Sequence, residues 1–155
     1  VFAVETTLVL PHSAPAIFRL ASSLKQAPRW RAGVVGVADS HGAHQGGPVL
    51  AFRALRARYA LATRVVAYDP PRHISWRSRG SAFVLEVALT LEEAPEGTRV
   101  TYHCGLALTG DDAVPAGHAT ALRRLLVRRA PRDLERLAAL MADEPALATA
   151  VADPI

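Results

Sequence analysis

Residues 115–141 read PAGHATALRRLLVRRAPRDLERLAALM. Leu122, Leu125, Leu126, Leu134, Leu137, Leu140 and Met141 recur there at spacings of three, four and seven, which places them on one face of a helix. Pro131 sits inside the pattern. It has no N–H to donate to the carbonyl of Val127, and its ring crowds that carbonyl, so a bend or break between Val127 and Pro131 is expected. Most of the chain before this stretch has strand-type patterns. A single late helix must bury its apolar stripe, and the preceding sheet is the only partner large enough. A sheet curled around one helix leaves a space between them, and apolar lining would make that space a ligand cavity.

The strands can be followed backwards from the helix. Thr98–Thr109 carries Val100, Tyr102, Cys104, Leu106 and Leu108 on one face, and Phe83–Leu91 alternates in the same way. His73–Arg79 precedes them. Val49–Leu55 and Arg58–Tyr68 read as a hairpin stopped by Asp69-Pro70-Pro71, since a Pro-Pro pair cannot donate ladder bonds. Trp30–Ala38 reads as the second strand, followed by a Gly- and His-rich turn over Ser40–Pro48. The first strand is Phe2–Leu10, with Phe2, Val4, Thr6, Leu8 and Leu10 on one side. Ser13 suits the N-cap of a short helix Ala14–Ser22, with Pro15 in its first turn. A second short turn covers Ser23–Ala27. The expected architecture is α+β, a curved antiparallel sheet of six or seven strands around the closing helix. It occupies a single domain, 1–142, with a flexible tail over 143–155.

The bulk numbers agree. The chain has 155 residues, 50% hydrophobic and 21% charged, which suits one domain with a real core and excludes a disordered chain. No apolar window is long enough for a membrane span, and no leader pattern opens the chain. The single cysteine, Cys104, excludes an internal disulfide and fits a reducing cytoplasm. The net charge of +4 is almost all arginine, since Lys25 is the only lysine. With the heavy use of alanine this reads as codon usage in a GC-rich genome, and no nucleic-acid partner is expected. Arg123, Arg124, Arg128 and Arg129 gather on the closing helix, either as its solvated face or as a surface for an anionic partner. The sequence leaves a homodimer open.

Several local phrases then resemble a known superfamily. They are the opening strand into Leu10-Pro11 with Ala16-Ile17-Phe18 after it, Trp30 entering the second strand, and Tyr68-Asp69-Pro70-Pro71-Arg72 followed by Ile74-Ser75-Trp76. Later come Gly97-Thr98-Arg99-Val100-Thr101 and Arg132-Asp133-Leu134-Glu135-Arg136-Leu137. In this order and spacing, over about residues 2–141, they resemble the START/birch-pollen-allergen-like (SRPBCC) superfamily. The wording is most similar to its bacterial polyketide cyclase/dehydrase branch. The resemblance implies the helix-grip fold and a small hydrophobic ligand of polyketide, lipid or isoprenoid type. The superfamily holds both enzymes and carriers, so fold alone does not choose between them.

The residues offer limited chemistry. His41 and His44 share a turn with Asp39, but no third ligand lies at a metal-site spacing, and a solvated polar turn is the better reading. No cofactor motif is present, and none is expected. Parity places Thr6, Trp76, Tyr102 and Cys104 on the inner sheet face and turns Glu5 and Glu86 outward. The inner face therefore carries no carboxylate, which argues against paired-acid chemistry. In a cyclase or dehydratase, Tyr102 could donate a hydrogen bond to a substrate carbonyl. His118, early in the closing helix, could move a proton, its ordinary pKa being about 6.5. The plainer readings are a packed tyrosine, a capping or surface histidine, and Cys104 as a small buried hydrophobe. The candidate ligand-binding residues are Trp30, Phe52, Trp76, Phe83, Leu85, Tyr102, Cys104, Leu122 and Leu125. Three functions are open: a ligand-binding or carrier module, a cyclase or dehydratase, and an interaction protein using the arginine face.

Overall fold

The computed structural model describes residues 2–38, 47–109 and 116–143. Seven antiparallel strands form one sheet in the order β1-β7-β6-β5-β4-β3-β2. They are β1 Phe2–Leu10, β2 Val34–Ala38, β3 Val49–Ala54, β4 Ala57–Asp69, β5 His73–Arg79, β6 Phe83–Ala94 and β7 Gly97–Leu108. Two short helices, α1 Ala14–Ala21 and α2 Ala27–Trp30, follow β1, with a 3-10 turn at Leu24–Gln26 between them. The long helix α3, Ala116–Asp143, closes the described chain and packs against β1, β7 and α2. This is the helix-grip arrangement. Asp39, His41 and His44 lie outside the described residues, as does the expected tail beyond Asp143. No helix among the described residues is long and apolar enough to cross a membrane.

The alternation in the sequence becomes the two faces of the sheet. Along β7, Val100, Tyr102, Cys104 and Leu106 are buried, while Arg99 and Leu108 are exposed. Register carries these residues into rows across the concave face. Tyr102 lies between Thr6 and Leu89, and Cys104 lies between Val4 and Val87. Glu5 and Glu86 point outward, where they meet His103 and Arg77. At the start of α1, the Ser13 hydroxyl accepts a hydrogen bond from the Ala16 N–H, as an N-cap should.

One local reading needs correction. Trp30 does not enter a strand. It ends α2, and the second strand begins only at Val34. Pro28 falls in the first turn of α2, where its missing N–H would have no helical partner anyway. The β3–β4 hairpin is present as expected and turns at Leu55 and Arg56, both with positive φ (52° and 65°). Neither residue is the Gly or Asn that usually occupies such a turn.

α3 runs unbroken through Pro131, so the expected alternative of a break does not occur. Pro131 and Val127 both lie on the exposed side of the helix. There, water can take up the carbonyl that the proline leaves without a donor. The opposite face holds the helix in place, with Leu122, Leu126, Ala130, Leu134, Leu137 and Met141 all buried.

The core has two lobes. One gathers around Trp30, Trp76 and Tyr102 with Leu134, Leu137 and Met141. The other gathers around Phe52, Leu61, Phe83 and Leu85 with Leu122 and Leu126. Leu137 is fully buried and Val127 is 49% exposed. Leu137→Ala should therefore cost about 2–5 kcal/mol, and Val127→Ala less than about 0.5 kcal/mol. Urea unfolding of both variants checks this, and equal losses would mean that α3 is not held by this face.

Candidate functional site

A small enclosed space lies where the two lobes of the core meet. Val87, Tyr102, Cys104 and Ala130 come from the first lobe, and Phe52, Leu85 and Leu126 from the second. Arg31, Gly33, Arg129 and Asp133 complete its wall. It offers about 20 Å³ to the centre of a water-sized sphere, which is room for about one water. A larger occupant requires α3 or the loop after α2 to move.

The polar part of the wall comes from three elements. Tyr102 is on β7, Asp133 is on α3, and Arg31 follows α2. Asp133 is buried, and its Oδ1 accepts the backbone N–H of Ala32 at 2.9 Å. Its Oδ2 accepts the Tyr102 hydroxyl at 3.4 Å, longer than a good O–H···O bond. The first contact ties α3 to the loop that leads into β2. The second leaves the phenol free to turn to a better acceptor. Arg31 is only 4% exposed, yet its guanidinium makes no hydrogen bond or ion pair among the described residues.

Burial sets the acidities here. It raises the Asp133 carboxyl above the usual carboxylate range, against the lowering effects of the Ala32 N–H, Arg31, Tyr102 and Arg136. It also lifts the Tyr102 phenol well above its usual value, with Cys104 adding to the rise. The Cys104 thiol is pushed up to about 11 by burial, so it is no nucleophile at neutral pH.

Arg129 spans the opening between α3 and β3. Its Nη1–H donates to the Arg53 carbonyl at 2.8 Å, and its guanidinium lies 5.8 Å from the centre of the Phe52 ring. Beneath it is Gly33. A Cβ there would strike the Phe52 ring and come within 2.7 Å of Arg129 Nη1. This position needs glycine for the close approach of neighbouring side chains.

Of the residues singled out in the sequence, Phe52, Leu85, Tyr102 and Cys104 meet at this space. Trp30, Trp76, Phe83 and Leu122 are buried but fill the two lobes beside it, and Leu125 is half-buried at the edge of the second. Trp30 packs edge-on against Tyr102, 5.4 Å between ring centres. Neither Trp30 nor Trp76 has a partner for its indole N–H among the described residues. His118 is exposed in the first turns of α3 and lines no part of the space. Arg123, Arg124 and Arg128 are exposed, whereas Arg129 turns inward.

Asp133 was legible and was passed over. It lies seven residues after Leu126 and four before Leu137, so it shares the apolar stripe of the helix. An acid on such a stripe is the signal, but inspecting only the sheet for carboxylates misses it. Arg31 and Gly33 carry no comparable pattern, because only the path of the loop brings them to the wall.

Comparison with known proteins agrees with this geometry. The family described as polyketide cyclase / dehydrase and lipid transport matches residues 1–142. No curated protein matches the sequence significantly. Among solved structures, the Zhui aromatase/cyclase from Streptomyces sp. R1128 superposes with a TM-score of 0.75 at 14% identity, over 93% of this chain and 95% of that one. A protein from Thermus thermophilus gives 0.72 at 16% identity, over 92% and 98%. A START superfamily protein from Mycobacterium smegmatis gives 0.61 at 18% identity, over 96% of each chain. At these identities the structures speak for the fold alone. The match over residues 1–142 places the chain in the polyketide cyclase / dehydrase and lipid transport family.

Proposed function

We propose that this protein binds a small, mainly apolar molecule between the concave sheet and α3, with Tyr102 and Asp133 reading its polar end. One observation carries the reading. A phenol, a carboxyl and two guanidiniums from three separate elements converge on one otherwise apolar space under the helix. Buried polar groups are costly unless they are satisfied. The long Tyr102–Asp133 contact, and an Arg31 guanidinium that makes no hydrogen bond among the described residues, leave donors available to a guest. Phe52, Leu85, Val87 and Leu126 supply the apolar wall.

A second reading, as a cyclase or dehydratase, draws on the raised pKa of Asp133. A carboxyl held above the usual carboxylate range can exchange protons with substrate, and Tyr102 can donate to a carbonyl oxygen where charge develops. The acid–base pair in that case is Tyr102 with Asp133, in place of Tyr102 with His118.

Binding is tested with the neutral fluorescent probe N-phenyl-1-naphthylamine. The wild-type chain should bind it saturably at one site. Ala130→Met, which extends a flexible side chain into the space, should weaken binding by about tenfold, near 1.4 kcal/mol. Absence of saturable binding, or unchanged affinity in a folded Ala130→Met protein, would sink the proposal.

The buried carboxyl makes a separate, pH-dependent prediction. Asp133 has a folded pKa above its unfolded value of about 3.9. Its contribution to stability is thus fully present below that value and is lost as pH rises through the folded pKa. Asp133→Asn cannot ionise. Its melting temperature should gain on the wild type as pH rises from about 4, and then level off. A difference that stays constant with pH would mean that Asp133 titrates normally.

A further inference from the structure

The charges around the space do not balance. Two guanidiniums, Arg31 and Arg129, and one carboxylate, Asp133, line it, and the remaining wall is neutral. Asp133 accepts the Ala32 N–H through one oxygen and, at 3.4 Å, the Tyr102 hydroxyl through the other. No ion pair joins it to Arg31 or Arg129 among the described residues. Arg129 is only half committed. One N–H is given to the Arg53 carbonyl, and the flat face rests over Phe52.

We infer that the guest is an amphipathic organic acid, with its carboxylate held between Arg31 and Arg129 and its apolar body along Phe52, Leu85, Val87 and Leu126. The inference rests on the binding reading above and names the chemistry of the ligand's polar end. A planar carboxylate matches the fork of N–H donors that a guanidinium presents. It supplies the missing negative charge in a low-dielectric site where pairing is strong. Arg129 has two roles in this scheme. With the space closed it straps α3 to β3 through the Arg53 carbonyl. On entry of an acid it exchanges that carbonyl for the ligand's carboxylate, which loosens the strap and lets the space widen. Gly33 leaves the room in which the Arg129 side chain sits. Burial already lowers the pKa of Arg129, and an anion would relieve that penalty.

The test compares decanoate with 1-decanol on the full chain by calorimetry, both below the concentrations at which they self-associate. Wild-type protein should prefer decanoate by about tenfold or more, as expected of charge-assisted hydrogen bonds. Arg31→Gln should abolish the preference and Arg129→Gln should reduce it, while decanol binding changes little. The Arg123→Gln/Arg128→Gln double variant, on the exposed face, should keep the full preference. Equal binding of the two ligands by the wild type would overturn the inference and leave the cavity reading intact. A preference that survives in folded Arg129→Gln and Arg31→Gln, or that disappears in the Arg123/Arg128 variant, would also overturn it. Binding of neither ligand would count against the cavity reading itself, and this inference would fall with it. If Arg31→Gln does not fold, the wild-type comparison and Arg129→Gln still decide.

Discussion

The structure depends on the burial of one stripe of α3 against the concave face of the sheet. Leu122, Leu126, Ala130, Leu134, Leu137 and Met141 lie along some five turns of that helix, and all are buried. Among the described residues, the sheet in turn has no second layer over its concave face except α3 and the short helices. Each surface therefore needs the other, and the strands must curve to wrap the helix. A curved sheet does not meet a straight cylinder evenly along its length. The core divides into two lobes, and the residual space lies at their seam.

Asp133 occupies the point on the stripe that faces this seam. An apolar residue there would pack and close the space further. The carboxylate instead holds the Ala32 N–H and approaches Tyr102, so it fastens α3 to the loop after α2 while keeping the site polar. The same contact that secures the helix thus borders the proposed site. Arg129, one turn earlier on the same helix, fastens the opposite side to β3. A guest that competes for either contact would loosen α3 where it enters. This couples occupancy to the position of the helix, in the sense that a ligand can shift only an equilibrium in which it binds one state better.

The interior is mixed in a way that favours neither pure storage nor obvious catalysis. Cys104 is too weakly acidic to attack at neutral pH, and no group of three potential metal-binding side chains gathers among the described residues. What the site does offer is a buried carboxyl of raised pKa next to a hydrogen-bond donor, within a largely apolar wall. That combination suits recognition of a polar head on an apolar body, and with a reactive substrate it also suits proton transfer.

The fold was legible because it follows from periodicity. Period-two alternation in β1, β6 and β7 and one helical stripe at the end leave little choice of architecture, and these patterns are local. Parity also told correctly that Trp76, Tyr102 and Cys104 face inward and that Glu5 and Glu86 face out. It could not tell which inward residues meet at the seam. Trp76 and Phe83 have the right parity, yet packing places them within the lobes. The helical place of Trp30 escaped because tertiary contacts overrode a weak local signal. Asp133 was visible in its helical spacing, but its meaning depended on what lay opposite. Arg31, Gly33 and Arg129 are joined only by the path of a loop and the reach of a long side chain. Sequence by itself determined the elements and their faces, since those rest on short-range geometry. The tertiary structure alone decided the site, because it is built from residues about a hundred positions apart whose meeting no local pattern encodes.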